Sequence, residues 1–427
     1  MAQGALPGFR DFYPEDFAQR AYILGVWRDV LRRYAFVEYD GPPLEPLDLY
    51  RKKSGGELVG QIYTFTDRGE REVALRPEMT PTFARMVAAR AHALRKPVRW
   101  FSIPQLFRQE KQQRGRLREH FQLNADIVGE ESVAADAELL AVALDVMSSF
   151  GLERTDVVAR ISDRRLLEAL LRDAGVAEPA LQDLYPIIDK RSREPANVYR
   201  EKLNATVGSS ETADKVEAIF ACRDVASLVE RYGGVAGAAE HVERIRQYLI
   251  YVGALGFGDW VQLDLSIVRG LAYYTGIVFE LFDTAGELRA ICGGGRYDTL
   301  LATLGGVDLP ALGFGMGDVV LGELLRSRNL IPAAETRVDY WVAFDDESLL
   351  EDVMMVAAQV RRRNRSAEYA LRPQQLGRQL KTAAGIGARE AVLLKRERYA
   401  LREVTVKHLD SGTERAMSLD EFLETLN

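Results

Sequence analysis

The sequence predicts an α+β protein with an antiparallel-sheet core, a helical insertion and a second, α/β domain at the C-terminal end. Alternation of polar and apolar residues, as in VQLDLSIV at 261–268, is typical of half-buried strands. Residues from about 165 to 255 instead carry short helical patterns with many charges and few strand signals. Beyond the linker-like NLIPAAETRVD, strand and helix patterns alternate over about a hundred residues, a usual domain size. We therefore predict domains at 1–330, which includes the insertion, and at 335–427.

Helical spacing and turn residues predict the elements of the first domain in chain order. A helix is expected from Pro14, a favourable first helical residue, to near Ala35. IYTFTDRGEREVAL is predicted to be a hairpin that turns at 67–69, and a helix follows Thr80. VRWFSIPQLFRQE is strand-like, and residues 134–150 again have helical spacing. GIVFELFDTAGELRAICGGGRYDTLL then reads as a hairpin, a run of glycines and the start of a helix.

Composition excludes several classes of protein. The chain has 427 residues, 47% of them hydrophobic and 28% charged, which is ordinary for a globular protein. No apolar run approaches the roughly 20 residues that span a bilayer, and no signal-peptide pattern opens the chain, so we expect a cytoplasmic protein without a membrane partner. The two cysteines and four scattered histidines support neither a disulfide framework nor a resident metal site. The net charge of −7 leaves local phosphate-binding patches possible.

The stretch RQEKQQRGRLREHFQLNADIVG, at 108–129, combines a cationic turn with a strand that has one polar face. Alternation from Arg118 puts four side chains on that face: His120, Gln122, Asn124 and Asp126. The turn carries Lys111, Arg114, Arg116 and Arg118, and Gly115 permits close approach of the backbone. Arg108 and Glu110 are expected on one face of the strand before the turn. The pattern suits a polyphosphate ligand, and a solvated hairpin with a charged tip is an equal alternative.

Three further motifs could bind or position a ligand. LRPEMT places Arg76, Glu78 and Thr80 at alternate positions, which suits an ammonium or N–H donor or, alternatively, a helix start capped by Thr80. IVRGLAYYTG ends a predicted strand with a cation and two tyrosines, which suit a carboxylate and a polar-aromatic pocket or simply a protein core. CGGGRYD permits close approach of a ligand, but it matches neither a Walker nor a Rossmann pattern, which disfavours a kinase or a dehydrogenase.

Taken in order, LRPEMT, FRQE…RGRLREHFQLNADIVG, DLSIVRGLAYYTGIVFE and CGGGRYDTLL resemble the histidyl-tRNA synthetases, a family of class II aminoacyl-tRNA synthetases. The resemblance covers nearly the whole chain. It implies a class II catalytic domain on an antiparallel sheet, an anticodon-binding-like C-terminal domain, and a homodimer with Pro42 near its interface. The implied reaction is activation of L-histidine with ATP and Mg²⁺, followed by transfer to tRNA(His).

The resemblance also implies roles for individual residues. Arg108 would contact the ATP α-phosphate and the histidine carboxylate, and Arg269 would lie beside the attacking carboxylate. ATP and its Mg²⁺ ions would be positioned by Glu110, Gln113 and Arg116, with His120 where an aromatic ring usually stacks on adenine. Histidine would be held by six residues: Glu78, Thr80, Gln122, Asp126, Tyr273 and Tyr274.

The chain departs from the family pattern at two places. Ala272 stands where the family usually has Asp in RGLDYY. The third class II motif reads FGMGDVVLGELL, with Asp318 and Val320 where Glu and Arg are expected. Because that Arg usually holds the ATP γ-phosphate, another cation must substitute for it, or ATP binding is weakened.

Two rival functions follow from the same motifs. One is a regulatory paralogue that binds histidine and controls a phosphoribosyltransferase of histidine biosynthesis. Such proteins typically lack the C-terminal domain, so residues 335–427, with Arg108, Glu110 and Arg116, argue against it, whereas the missing Arg at Val320 argues for it. The other is a class II enzyme for prolyl, threonyl or glycyl transfer, which RGLAYYTG and GGGRYD disfavour. A purely RNA-binding protein would not need the aligned polar strand face.

Overall fold

The computed structural model describes residues 4–51, 60–110, 113–191, 194–268, 273–333 and 338–426. The chain divides into two compact units, Met1–Pro332 and Ala333–Asn427. None of the helices in these described ranges is long and apolar enough to cross a membrane.

The first unit contains twelve described strands and a series of helices. The strands are β1 Val37–Glu38, β2 Leu44–Pro46, β3 Thr64–Thr66, β4 Glu72–Leu75, β5 Val98–Ser102, β6 Gln105–Phe107, β7 Glu119–Val128, β8 Val157–Asp163, β9 Val261–Leu263, β10 Ile277–Asp283, β11 Cys292–Arg296 and β12 Ala311–Gly317. The helices outside the insertion are Pro14–Arg33, Asp48–Arg51, Thr80–Arg90, Val133–Ser149, Leu300–Gly305 and Asp318–Ser327. The insertion supplies Arg164–Asp173, Glu178–Asp189, Ala196–Val207, Ser210–Phe220, Val225–Tyr232 and Ala239–Ala254.

A nine-stranded sheet organises this unit, in the order β1-β5-β7-β12-β11-β10-β8-β9, with β6 also paired to β7. Its pairs are antiparallel except β1–β5 and β8–β9, which are parallel. A separate three-stranded sheet has the order β2-β4-β3. The predicted α+β fold with an antiparallel core and a helical insertion is confirmed.

One face of the sheet is covered by the helix Val133–Ser149, which contacts β7, β11 and β12. Leu140, Leu144 and Met147 of this helix are completely buried, as its helical spacing predicts. Burying one such side chain contributes about 1.5–3 kcal/mol. The opposite face of the central strands carries a smaller apolar cluster, which includes Val128, Val278 and Ala311, and the candidate functional site lies beside it.

Local hydrogen bonds explain where predicted elements begin and end. The first helix starts at Pro14, with Glu15 and Asp16 in its first turn and arginines in its last, an arrangement that complements the helix dipole. The predicted hairpin at 67–69 is present as β3 and β4, because the Asp67 carboxylate accepts hydrogen bonds from the backbone N–H groups of Gly69 and Arg71. Thr80 is the first residue of its helix, and Met79 takes the cap position.

Three predicted element boundaries or types are wrong. The strand expected over 261–268 ends at Leu263, because the next carboxylate, Asp264, accepts hydrogen bonds from the Ser266 N–H at 3.1 Å and hydroxyl at 2.5 Å and turns the chain. Arg108 and Glu110 lie beyond the end of β6 at Phe107, although the Arg108 N–H still donates to the Arg118 carbonyl at 2.9 Å. The hairpin predicted before the glycine run is present as β10 and β11, but the glycines of CGGGRYD lie within β11 rather than after the hairpin, because their lack of side chains admits the neighbouring strands closely.

The second unit is a small α/β domain. Its strands are β13 Tyr340–Phe344, β14 Ala367–Tyr369, β15 Glu390–Leu394, β16 Glu403–His408 and β17 Glu414–Ser418, in the order β14-β13-β15-β16-β17. Its helices are Leu350–Arg362, Leu376–Gly385, Arg396–Tyr399 and Leu419–Glu424. Trp341, Val353 and Phe422 belong to a core made wholly from residues of this unit.

Candidate active site

Strand β7 presents the polar face that its sequence predicts. Leu123, Ala125 and Ile127 are buried in the hydrophobic core on one side of the sheet. The alternate positions from His120 to Asp126 project from the other side, and there Asn124 folds back to donate a hydrogen bond to the Gln122 carbonyl at 3.1 Å. The strand period of two residues therefore separates a packing face from a binding face.

Room for these polar side chains comes from glycines of the neighbouring strand β12. Gly313 pairs with Asp126 in the sheet register, and a Cβ added there would lie 2.0 Å from the Asp126 Oδ1 atom. A Cβ on Gly315 would lie 2.9 Å from the Gln122 Nε2 atom. The alternating glycines of GFGMG thus leave space beside β7, and the polar side chains of β7 lie over this space. The spacing of these glycines, two residues apart in a strand, is the sequence signal that could have revealed this space.

A buried aromatic group surrounds Asp126 at one end of the polar face. Asp126 is only 5% exposed, and the Tyr297 hydroxyl donates a hydrogen bond to it. Burial, reinforced by the Asp126 charge, raises the pKa of Tyr297 well above its ordinary value, so this hydroxyl stays protonated and remains a donor. The Tyr273 ring centroid lies 5.9 Å from that of Tyr297 and 4.8 Å from that of Tyr274. The structure thus brings three predicted site residues together with Tyr297, which the sequence motifs did not single out as a binding residue.

Positive charge collects at the other end of the polar face. Glu110 forms ion pairs with Arg116 at 2.9 Å and with Arg108 at 3.8 Å, and the Arg108 Nε–H donates to the Pro77 carbonyl at 2.9 Å. This last bond ties Arg108 to the loop that carries Glu78, whose side chain is 6% exposed. Thr80, at the start of the following helix, is half-buried.

A cavity of about 730 Å³ opens over this end of the sheet. Five of the predicted site residues line it: Arg108, Glu110, Arg116, His120 and Gln122. Gln113 lines an adjoining recess of about 290 Å³. The resemblance assigns five further residues to histidine binding, and none of them is among the described residues that line this cavity: Glu78, Thr80, Asp126, Tyr273 and Tyr274. Arg269, Ala272 and Lys111 lie outside the described residues.

His120 is a neutral residue at physiological pH. Burial lowers the pKa of its imidazole to about 3, and the positive charges of Arg108 and Arg10 act in the same direction. A neutral imidazole keeps one ring nitrogen as an acceptor and one as a donor. It can therefore pack against or hydrogen-bond a heterocyclic base without adding charge.

An ion-pair network behind the site fixes the start of β7. Arg10 contacts Glu119 at 2.6 Å and Asp318 at 2.9 Å, and Asp318 accepts a hydrogen bond from the Phe121 N–H at 2.9 Å. Asp318 therefore anchors strand β7. These partners are more than a hundred residues apart in the chain, so sequence reasoning could not pair them.

Carboxylates of the cavity suit a magnesium ion that arrives with a nucleotide. The described part of the chain contains no group of three or more His, Cys, Asp and Glu side chains placed to hold a metal by themselves. Glu110 and Glu280, however, both line the cavity. Mg²⁺ is commonly bound by one or two carboxylates together with substrate phosphates and water, and these side chains fit that pattern.

Comparisons with known proteins agree with the architecture. The family model for histidyl-tRNA synthetase matches residues 8–317, and the model for the anticodon binding domain matches residues 330–427. A histidine–tRNA ligase of Opitutus terrae is 40% identical over 96% of this chain and 94% of its own length. The chloroplastic/mitochondrial histidine–tRNA ligase of Arabidopsis thaliana is 40% identical over 97% of this chain and 85% of its own. The histidyl-tRNA synthetase structure from Nostoc superposes with a TM-score of 0.85 at 23% identity, covering 100% of this chain and 99% of that one.

The antiparallel sheet and the C-terminal domain are those of a class II aminoacyl-tRNA synthetase. Within that class, the extent of the family match and the identity to the curated relatives decide the assignment. The chain belongs to the histidyl-tRNA synthetase family.

Proposed function

We propose that the protein activates L-histidine with ATP to form histidyl-adenylate and then transfers the histidyl group to tRNA(His). The observation that carries the proposal is the polar face of β7, which joins the cationic cavity to the buried Asp126–Tyr297 pair. A nucleotide and an amino acid bound along this one strand would meet between its two ends. Membership of the family gives the reaction class.

The first step needs positioning rather than a protein nucleophile. A carboxylate oxygen of histidine attacks the α-phosphorus of ATP, a new P–O bond forms, the bond to the β-phosphate breaks, and pyrophosphate leaves. Arg108 lies in the cavity where it would neutralise charge on the α-phosphate and the attacking carboxylate. We assign Arg269 to the same carboxylate by analogy with the family. Mg²⁺ would supply Lewis-acid stabilisation of the phosphates, and Glu110 would be among its ligands.

The nucleotide subsite would be formed by the cationic end of the strand. Arg116 and Gln113 would contact phosphate oxygens, and the neutral His120 would pack against adenine. In the second step, a ribose hydroxyl at the end of tRNA attacks the activated carbonyl carbon. That hydroxyl loses its proton, and AMP leaves.

The histidine subsite would lie around Asp126. The carboxylates of Glu78 and Asp126 would receive the α-ammonium group and an imidazole N–H, with Thr80 and Gln122 as hydrogen-bonding neighbours. Tyr273 and Tyr274 would close an aromatic wall around the imidazole ring. The protonated Tyr297 hydroxyl fixes the orientation of the Asp126 carboxylate, which supports this assignment.

A regulatory role without catalysis is less consistent with the chain. The C-terminal domain matches an anticodon-binding model at residues 330–427. A protein that only sensed histidine would not need to contact an anticodon. We therefore propose two domains, one for catalysis at 1–330 and one for anticodon contact at 335–427.

We also propose a homodimer in the cytoplasm. Apolar side chains stand exposed around the segment that carries Pro42: Val37 is 61% exposed, Leu44 37% and Phe65 49%. A second copy of the chain that covered this surface would remove these side chains from water. Sedimentation equilibrium is expected to give twice the chain mass, and a monomer at micromolar concentration would contradict the dimer.

Histidine-dependent exchange of pyrophosphate into ATP tests the first step directly. Purified protein with Mg²⁺ is expected to catalyse exchange with histidine and not with proline, threonine or glycine. Aminoacylation of total tRNA with each of these amino acids tests the second step. Binding of histidine without any exchange would overturn the enzyme proposal and favour the regulatory role.

A further inference from the structure

We infer that Arg289, on the loop between β10 and β11, supplies the positive charge that binds the outer phosphates of the nucleotide. The inference rests on the proposed function and names a residue that the family motifs do not. The helix Asp318–Ser327 presents Val319 and Val320 to the cavity, and neither of these side chains carries a charge. A triphosphate in the cavity needs cations at that end as well as at the α-phosphate.

Arg289 shares its surroundings with Val320 of the helix and with Gly115 of the cationic hairpin. Arg289, Val320 and Gly115 line both the large cavity and the adjoining recess of about 290 Å³. A Cβ added to Gly115 would lie 3.2 Å from the Val320 Cγ2 atom, so the tip of the cationic hairpin packs against the valine. Arg289 donates a hydrogen bond to the side-chain oxygen of Gln113, which is on that same tip. The arginine therefore bridges the loop and the hairpin above the recess.

Hydrogen bonds hold the loop in a defined position. The Asp283 carboxylate accepts from the N–H groups of Glu287 at 3.1 Å and Leu288 at 3.0 Å. The Thr284 N–H donates to the Asp156 carbonyl at 2.9 Å, and the Ile291 N–H donates to the Leu281 carbonyl at 2.8 Å. Both ends of the loop are thus fixed to the sheet. A side chain on such a support binds a ligand with less loss of conformational entropy.

The position of Arg289 separates it from the other arginines of the cavity. Of the described residues, four arginines line the large cavity: Arg108, Arg116, Arg160 and Arg289. Arg108 and Arg116 lie with Glu110 at the cationic end of the polar face, and Arg160 lies over the Phe282 ring at 4.9 Å. Among these four arginines, Arg289 is the one that also lines the recess with Val320.

Acidic neighbours make a cation necessary at this place. Glu287 and Glu323 both line the recess, and Glu323 pairs with Arg114 at 3.2 Å. A polyphosphate that approached these carboxylates without an opposing charge would be repelled. The positive charge of Arg289 would offset this repulsion. Arg289 would therefore favour binding of a nucleotide that has β- and γ-phosphates over binding of one that lacks them.

The test compares nucleotides that differ only in those phosphates. Calorimetry of Arg289→Ala is expected to show ATP affinity weakened about 10- to 100-fold, the usual effect of losing hydrogen bonds to a charged group, with AMP affinity within about twofold of the unaltered protein. In the exchange assay the KM for ATP is expected to rise by a similar factor, and the KM for histidine is expected to stay unchanged. Arg289→Lys should recover part of the loss. Arg154→Ala, which removes an exposed arginine paired with Asp259, is the matched control.

Relocating the charge makes the test stricter. Adding Val320→Arg to Arg289→Ala is expected to recover most of the ATP affinity, since both positions line the same recess. The inference is overturned if Arg289→Ala leaves ATP affinity within twofold, or if it weakens ATP and AMP equally, which would indicate collapse of the loop. A protein that binds ATP well but catalyses no exchange would instead refute the proposed function alone.

Discussion

Replacing Gly313 by alanine should damage the histidine subsite while leaving the nucleotide subsite intact. The added Cβ would lie 2.0 Å from the Asp126 Oδ1 atom and 2.9 Å from the Ala125 carbonyl oxygen. Real Cβ contacts below 3.0 Å essentially never occur, so the Asp126 carboxylate must move by about an ångström or more. That movement breaks its hydrogen bond with the Tyr297 hydroxyl.

The size of the effect follows from what is lost. A hydrogen bond to a charged group is worth about 1.5–3 kcal/mol, and about 1.4 kcal/mol corresponds to a factor of ten in affinity. The dissociation constant for histidine is therefore expected to rise about 10- to 100-fold. Calorimetry with histidine measures it without requiring turnover, and the exchange assay should show the same rise in the KM for histidine with little change in the KM for ATP.

Two neighbouring glycines provide graded controls. A Cβ on Gly315 would meet the flexible end of Gln122 at 2.9 Å, and one on Gly317 would meet the nearest His120 atom at an ordinary 3.9 Å. Histidine affinity should thus fall less in Gly315→Ala than in Gly313→Ala, and it should not change in Gly317→Ala. Equal histidine affinity in all three variants and the unaltered protein would refute the assignment of Asp126 to histidine binding.

Four further predictions concern catalysis, stability and independent folding. Arg269→Ala should depress the activation rate far more than histidine affinity, and equal losses in both quantities would disprove its role beside the reacting carboxylate. Asp136→Ala removes the carboxylate that the 1%-exposed Arg296 contacts at 2.7 Å and leaves that arginine with Asp298 at 3.2 Å. The free energy of unfolding should therefore fall by about 1.5–3 kcal/mol, the contribution of a hydrogen bond to a charged group. Asp420→Ala, at the exposed Arg402–Asp420 pair, should cost less than about 1 kcal/mol, and equal losses by chemical denaturation would contradict this. The pKa of His120 is about 3 in the folded state, below its unfolded value of about 6.5, so between these pH values the unfolded chain binds more protons than the folded one. The contribution of His120 to the free energy of unfolding is therefore fully present above about pH 6.5 and should fall by up to about 1.4 kcal/mol per pH unit below it. His120→Gln should reduce this slope. The fragment Ala333–Asn427 has its own core and should unfold in one cooperative transition with a free energy of about 5–15 kcal/mol, and a broad, non-cooperative melt would show that it depends on the rest of the chain.

Sequence pattern predicted those parts of the fold that depend on local physics. The alternation in EHFQLNADIV requires one buried and one polar face, and the structure has both. The strand predicted at 261–268 fails because a single side-chain interaction, between Asp264 and Ser266, overrides the alternation. The period of apolar residues indicates which side chains are buried, but it does not indicate which polar side chain will hydrogen-bond to the local backbone.

The contents of the site were less accessible to sequence reasoning, because they depend on contacts between distant segments. Tyr297 reaches Asp126, and Arg10 reaches Asp318, across more than a hundred residues in each case. Arg289 reaches Gln113 for the same reason. Local pattern could place Gln122 and Asp126 on one face, but only the strand order of the sheet could show that glycines of β12 lie beside them.

The spacing of the two subsites is set by one strand. His120 and Asp126 are six positions apart on β7, which corresponds to about 20 Å at roughly 3.3 Å per residue. A base at His120 and an amino acid at Asp126 would leave the α-phosphate and the attacking carboxylate near Gln122 and Asn124, the polar-face positions on either side of the midpoint. Because β7 is hydrogen-bonded to strands on both sides, its length cannot adjust when a substrate binds. Changes at either end should therefore weaken binding of one substrate, whereas a change at Gln122 should affect the activation rate and both affinities together.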